Sequence, residues 1–350
     1  MTTIYDVAKA ANVSPKTVSR VLNGDLPVKD ETRAAVEQAI AQLGYVPSSA
    51  ARTMRSQRSG LIGLVTGGIS VSPLWTQMSG LPEIFIVQGI QRRMESSGKT
   101  LLISDTGGRS ERVPHLLRTF TEHRVEGLIY VASHHQQVEL PELPPNARLV
   151  LVNCFDDRGT PAVLPDDREG QRRLVRDVIA RGHTRIAYLT LSPTLIATIL
   201  RTEGYRAALT EAGIVFDPDL VGVGEDSPGD PSSAGMSREV ARLMSLAEPP
   251  TAICCGNDQL AMRLYGVLRS SGYDVPRQVS VAGFDDFRLI TETLFPPLTT
   301  AELPYVAMGE RGAERLLSLI GRSDPGRTDP DRIAGDVMWR ESVLERPRRR

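Results

Sequence analysis

The sequence predicts an α/β protein: an all-α unit at the N-terminus, then a two-lobed core built on parallel sheets. Two observations predict it. Over the first 46 residues, apolar side chains recur at helical spacing between Ser, Asp and Gly punctuation. From Gly60 onward, short continuous apolar runs alternate with amphipathic stretches, and the alternation comes in two series. That is the pattern of parallel strands covered on both faces by helices.

The elements follow in order. Thr3, with Asp6 three residues on, makes a capping box that starts a helix, and Val7, Ala8 and Ala11 give it an apolar stripe. Asn12-Val13-Ser14 is a tight connection. Ser14 is then an N-cap with Pro15 at the first helical position, where its missing N–H costs nothing. Val18, Val21 and Leu22 share one face and Gly24 closes the helix, while Lys16, Thr17, Ser19 and Arg20 point elsewhere. A third helix is expected from about Asp30 to Leu43, with Val36, Ile40 and Leu43 on its inner face and Gly44 at its end. Two short helices across a tight turn, braced by a third, form a helix-turn-helix, whose second helix fits the major groove of DNA. A three-helix bundle without a nucleic-acid partner gives the same pattern, so the pattern alone leaves both readings open.

The stretch "PSSAARTMRSQRSG" has good helix formers but spans only about two turns, which is marginal for an isolated helix in water. Beyond it, "GLIGLVT", "TLLIS", "GLIYV" and "RLVLVN" read as strands of a first series. A second series begins near Leu164 and runs through "RIAYLTL", "LVGVG", "TAICC" and "VSVAGF". Two such series suggest two lobes with a cleft between them, and ligands of open α/β sheets bind outside the strand C-termini. Polar residues stand there: Asn153, Asp166, Asn257 with Asp258, and Asp285 with Asp286. Arg201 lies just before "GYRAAL". Carboxylates, amides and one Arg converging on a cleft suit a ligand rich in hydroxyls. For Asp166, Asn257 and Asp286 a second reading, helix N-cap, stands beside ligand contact.

Charge and composition narrow the function classes. The net charge is −1, yet residues 1–60 carry eight bases against five acids, a local +3. The three cysteines sit in apolar runs. Cys254 and Cys255 are strand neighbours that point to opposite faces, which argues against a disulfide between them and for a reducing compartment. No apolar run reaches membrane length and the N-terminus lacks a signal-peptide layout, so a cytoplasmic protein is expected. No catalysis is expected. The Asp pairs are adjacent in sequence rather than set to flank a bond, "GLVTGG" lacks the Gly-Lys-Ser/Thr of a phosphate loop, and no nucleophile elbow is present. His134-His135 have no partner at metal spacing and read as part of a solvated loop, so neither a metal nor a cofactor is expected.

"TIYDVAKAANVSPKTVSRVLNG" and "VKDETRAAVEQAIAQLGYVPSSAARTMRS" resemble the headpiece of the lactose-repressor (LacI/GalR) family almost position by position. "GHTRIAYL", "RTEGYRAAL", "GNDQLAM", "VSVAGFDD" and "PPLTTAELP" extend the resemblance over nearly the whole chain, whose core is in turn similar to periplasmic sugar-binding proteins. The resemblance implies a helix-turn-helix headpiece over residues 1–46, a hinge helix or linker over 47–59, and an effector-binding and dimerisation core over 60–345. It implies a homodimeric, non-enzymatic repressor of a carbohydrate-utilisation operon, bound to palindromic operator DNA, not to membrane, and controlled by a small sugar-like effector.

Arg20 and Lys16 are expected to read bases, with Thr17 and Ser19 fixing the backbone register. Ser14, Asn23, Ala51, Met54 and Arg55 complete the candidate DNA-binding set. Met54 stands where relatives usually push a Leu into a minor-groove step; a core contact with the headpiece is its other reading. Positions matching Asn153, Arg201, Asn257 and Asp285 contact effector in the family, and Asp166 is added to them. Arg201 and Asp285 are expected to hold the ligand from opposite sides of the cleft. The segment "GGISVSPLWTQMSGLPEIF" departs from the family's shorter link. It has two readings: Trp75 over the ligand, or Trp75 packed on its own lobe in a surface loop.

Overall fold

The computed structural model describes residues 2–24, 28–46, 59–70, 81–224, 234–320 and 329–347. Ala51, Met54, Arg55 and Trp75 lie outside the described residues. The chain divides into two compact units, Met1–Gly60 and Leu61–Arg350.

The first unit is helical: α1 (Ile4–Ala10), α2 (Pro15–Asn23) and α3 (Asp30–Leu43). The Thr3/Asp6 capping box opens α1, with Thr3 N–H donating to Asp6 Oδ2 at 2.8 Å. Ser14 caps α2, and Gly24 ends it in the left-handed conformation at φ 71°. Val7, Val18, Val21 and Val36 form the centre of a small core. The inner face of α3 differs from expectation in its last turn. Ala39 is buried and Ile40 packs at the edge, while Leu43 is exposed.

The second unit holds two six-stranded sheets. Strands β1 (Leu61–Thr66), β2 (Thr100–Asp105), β3 (Gly127–Gln137), β4 (Leu149–Phe155), β5 (Ala162–Pro165) and β11 (Asp331–Ile333) form an all-parallel sheet in the order β11-β5-β4-β3-β1-β2. Strands β6 (Ile186–Thr190), β7 (Val221–Val223), β8 (Ala252–Cys255), β9 (Ser280–Asp285), β10 (Thr299–Glu302) and β12 (Val337–Met338) form the other, in the order β12-β10-β9-β8-β6-β7, with only β12 antiparallel to its neighbour. The central strands read as uninterrupted apolar runs because helices cover both faces. All three cysteine thiols are free and buried.

The chain passes between the sheets after Pro165, after Glu302 and after Ile333. The first passage matches the start of the second series near Leu164. The second returns the helix Tyr305–Leu319 and strand β11 to the first lobe, where the helix packs on Ile84–Ser96, and the third carries the chain back to β12 of the second lobe. Gly89 and Gly309 make that packing close: a Cβ at Gly89 would overlap the Val306 carbonyl oxygen, and one at Gly309 the Ile86 carbonyl oxygen. Gly204 plays the same part in the second lobe, against the Arg168 carbonyl. No helix among the described residues is long and apolar enough to cross a membrane.

Candidate DNA-reading helix and effector cleft

In α2 the apolar positions are committed to the core, with Val18 fully buried. Lys16, Arg20 and Asn23 are exposed, and Thr17 and Ser19 are half-buried. Ser14 Oγ accepts from Thr17 N–H at 3.1 Å and lies 2.9 Å from Thr17 Oγ1. These two residues therefore fix the start of the helix, and Arg20 and Lys16 provide its reaching charge.

In the core, polar side chains gather where the strands of both lobes end. Asn153 sits within β4 at φ 63°, the left-handed region that Asn tolerates better than most residues. Its Nδ2 donates to the Ala132 carbonyl and to Tyr305 Oη, both at 3.1 Å. Asn257 caps the helix Asp258–Ser270, its Oδ1 accepting from Leu260 N–H at 2.8 Å. Asp285 ends β9 at φ 130° and Asp286 follows at φ 54°. Strained backbone of this kind tends to cluster at ligand sites. Asp286 accepts from Arg340 Nη2 at 2.7 Å.

Arg201 and Asp285 do not face each other across the cleft. Both belong to the second lobe, with Arg201 Nη1 3.9 Å from Asp285 Oδ1. Arg201 lies over the Phe284 ring, 3.7 Å from its centroid, and its Nε donates to Asp167 Oδ1 at 2.7 Å. Asp167 thus joins Asp285 among the carboxyl groups lining the cavity. Asp166 is the N-cap of the helix Asp167–Ala180, accepting from Glu169 N–H at 3.1 Å. The histidines do not lie in a loop: both belong to β3, where His134 is exposed as expected but His135 is buried with Nδ1 2.8 Å from Asp167 Oδ2. No group of three or more potential metal ligands exists among the described residues.

Burial would raise the Asp167 pKa, but Arg201 and His135 outweigh it and hold the carboxylate below its ordinary value. Asp285 goes the other way. Burial pushes its pKa well above the ordinary range, with Arg201 opposing and Asp258 reinforcing the shift. The cavity among these groups has a volume of about 40 Å³ and also touches Leu191, Leu303 and Tyr305. Ligand sites run to roughly 300–1,000 Å³. The lobes must therefore part to admit a ligand larger than a water or two.

Three buried polar atoms at this place have no hydrogen-bond partner: Asn153 Oδ1, Asn257 Nδ2 and Asp285 Oδ2. Sequence reasoning missed Asp167, His135 and Tyr305. A signal existed for Asp167, a second carboxylate at the same strand end, and none for the others.

The lacI family of bacterial regulatory proteins matches residues 3–48, and a periplasmic binding protein-like domain matches 175–343. The HTH-type transcriptional repressor PurR of Aliivibrio fischeri (strain MJ11) is 31% identical over 351 residues, covering 99% of this chain and 99% of its own. The chain belongs to the lacI family. It is a DNA-binding transcriptional regulator with an effector-binding core. The HTH-type transcriptional regulator GalR of Escherichia coli (strain K12) is 33% identical over 91% of this chain and 89% of its own. A solved lac repressor dimer, bound to operator and the anti-inducer ONPF, superposes with a TM-score of 0.74 at 26% identity, covering 98% of this chain and 99% of that one.

Proposed function

We propose that this lacI-family regulator acts in the cytoplasm as a homodimeric repressor of a carbohydrate-utilisation operon. It binds a palindromic operator through α2 and answers to a small sugar-like effector in the core cleft. The observation that carries the effector reading is the set of unpartnered buried atoms, two acceptors and one amide donor, at one place. Each such atom is costly unless something fills it, and hydroxyls, which donate and accept, fill all three. A purine would favour stacking faces, and among the described lining residues the aromatic groups are Tyr305, His134 and His135.

On the DNA side, Arg20 and Lys16 reach base edges, Thr17, Ser19, Ser14 and Asn23 fix the register, and Ala51, Met54 and Arg55 belong to the hinge. Two copies place two recognition helices about one helical turn apart. The effector acts by binding one arrangement of the lobes better than the other, and the coupling is reciprocal: operator must change effector affinity by the same factor.

Thermal-shift titration of the full chain with a panel of mono- and disaccharides, and with hypoxanthine and guanine, tests this. A ligand that binds only the native state raises the melting temperature. A sugar that does so and also changes operator affinity in a gel shift is the expected result. A shift with a purine and with no sugar would sink the carbohydrate reading.

A further inference from the structure

This inference rests on the cleft being the effector site and concerns the charge of what enters it. Among the described residues lining the cavity, the carboxylates are Asp167 and Asp285, the only Arg is Arg201, and there is no Lys. The charge of Arg201 is already paired with a carboxylate. Its Nε is bound to Asp167 at 2.7 Å, its Nη1 donates to the Gly256 carbonyl, and the Asp285 carboxylate stands 3.9 Å off. The histidines do not change this. His135 directs Nδ1 at the same Asp167, and burial lowers the His134 pKa and favours its neutral form.

A phosphate or carboxylate group entering here would lose its water and meet two carboxyl groups and a guanidinium already neutralised at contact distance. An uncharged polyol meets two open acceptors and one open donor, Asn153 Oδ1, Asp285 Oδ2 and Asn257 Nδ2. We propose that the cleft selects a neutral sugar and rejects the phosphate ester and the acid of the same sugar, and that Asp167 sets this preference as a positioning residue by neutralising Arg201. The lack of a Lys, and of any Arg other than the paired Arg201, among the described lining residues is what dictates the choice.

The test is calorimetric titration of the full chain with D-ribose, D-galactose and cellobiose, with D-ribose 5-phosphate, D-galactose 6-phosphate and D-galactonate, and with hypoxanthine. A neutral sugar is expected to bind at least 100-fold tighter than its own ester or acid. An ester or acid that matches or exceeds its parent sugar overturns the proposal and leaves the carbohydrate reading intact. Binding of hypoxanthine alone overturns the carbohydrate reading and the proposal with it. Asp167→Asn frees the Arg201 charge and should narrow the sugar-to-ester ratio at least tenfold. Asp285→Asn, at a carboxyl whose protonated form burial already favours, should leave the ratio unchanged. An unchanged ratio in folded Asp167→Asn refutes the role given to Asp167.

Discussion

His135 Nδ1 and Asp167 Oδ2 meet at 2.8 Å, one from strand β3 of the first lobe and the other from the opening turn of a second-lobe helix. The same carboxylate holds Arg201 through its other oxygen at 2.7 Å. One buried group therefore ties the two lobes together and balances a buried guanidinium. Asp167→Ala removes both ties and leaves Arg201 with Asp285 at 3.9 Å as its nearest counter-charge. Breaking a buried pair in this way costs about 3–5 kcal/mol. His135→Ala, which leaves the Arg201 pair intact, should cost about 1–3 kcal/mol. Urea denaturation of both variants checks the order. A loss under about 1 kcal/mol for Asp167→Ala would mean that Asp285 or water replaces the carboxylate.

Asp258 supplies a pH dependence. It is fully buried, its oxygens accepting from Thr300 Oγ1 at 2.7 Å and from Phe287 N–H at 2.8 Å, and burial pushes its pKa up to about 7 from 3.8. Between those two values the folded chain keeps a proton that the unfolded chain has released. Stability from this group is therefore present at low pH and falls as pH rises toward about 7. Asp258→Asn cannot titrate. Its stability relative to the parent should improve between pH 5 and pH 8, whatever its sign at either pH. A difference that stays constant across that range refutes the shift.

Much of the headpiece was legible in the sequence because its signals are local. Ser14, Pro15 and Gly24 mark both ends of α2 through their own backbone preferences, and the structure places the helix between them. Leu43 was misplaced because an apolar residue in a last helical turn is buried only if something covers that turn, and periodicity does not report cover. In the core, strand and helix alternation gave the two lobes, while the return of the chain after Glu302 is a matter of tertiary routing. Asp166 and Asp167 show the limit most clearly. Successive helical residues point about 100° apart. With two carboxylates in a row the sequence does not say which one caps and which one faces the cleft, and the structure makes Asp166 the cap. His135 is invisible for a related reason: its partner is on the other lobe.

Arg20 is expected to discriminate bases rather than only hold phosphate. It is exposed on the face of α2 opposite Val18 and Val21. A bidentate contact to guanine contributes about 1–3 kcal/mol of discrimination. Arg20→Ala should relax preference at one position of each half-site in a selection from random duplexes at fixed salt. Uniform weakening on every sequence would identify a phosphate contact instead.

Two glycines separate packing from propensity. Ala is preferred to Gly in a helix by about 1 kcal/mol. Gly266, exposed in the helix Asp258–Ser270, has nothing within 4 Å of an added Cβ, so Gly266→Ala should stabilise by up to that amount. Gly309→Ala would drive a methyl into the Ile86 carbonyl, and forcing two packed helices apart should cost about 1–3 kcal/mol net. Thermal and urea midpoints of the two variants should move in opposite directions; a common direction would contradict the close approach.

The cavity of about 40 Å³ has a kinetic consequence. A ligand that fits only after the lobes separate enters no faster than they separate, and leaves no faster than they reopen. Association observed by rapid mixing would then level off at high ligand concentration, at the opening rate, instead of rising in proportion. Tight binding would be expressed chiefly as a long residence time. For a gene switch this means memory: after the outside supply of effector stops, each occupied molecule keeps its setting for one residence time, and transcription lags the environment by that interval.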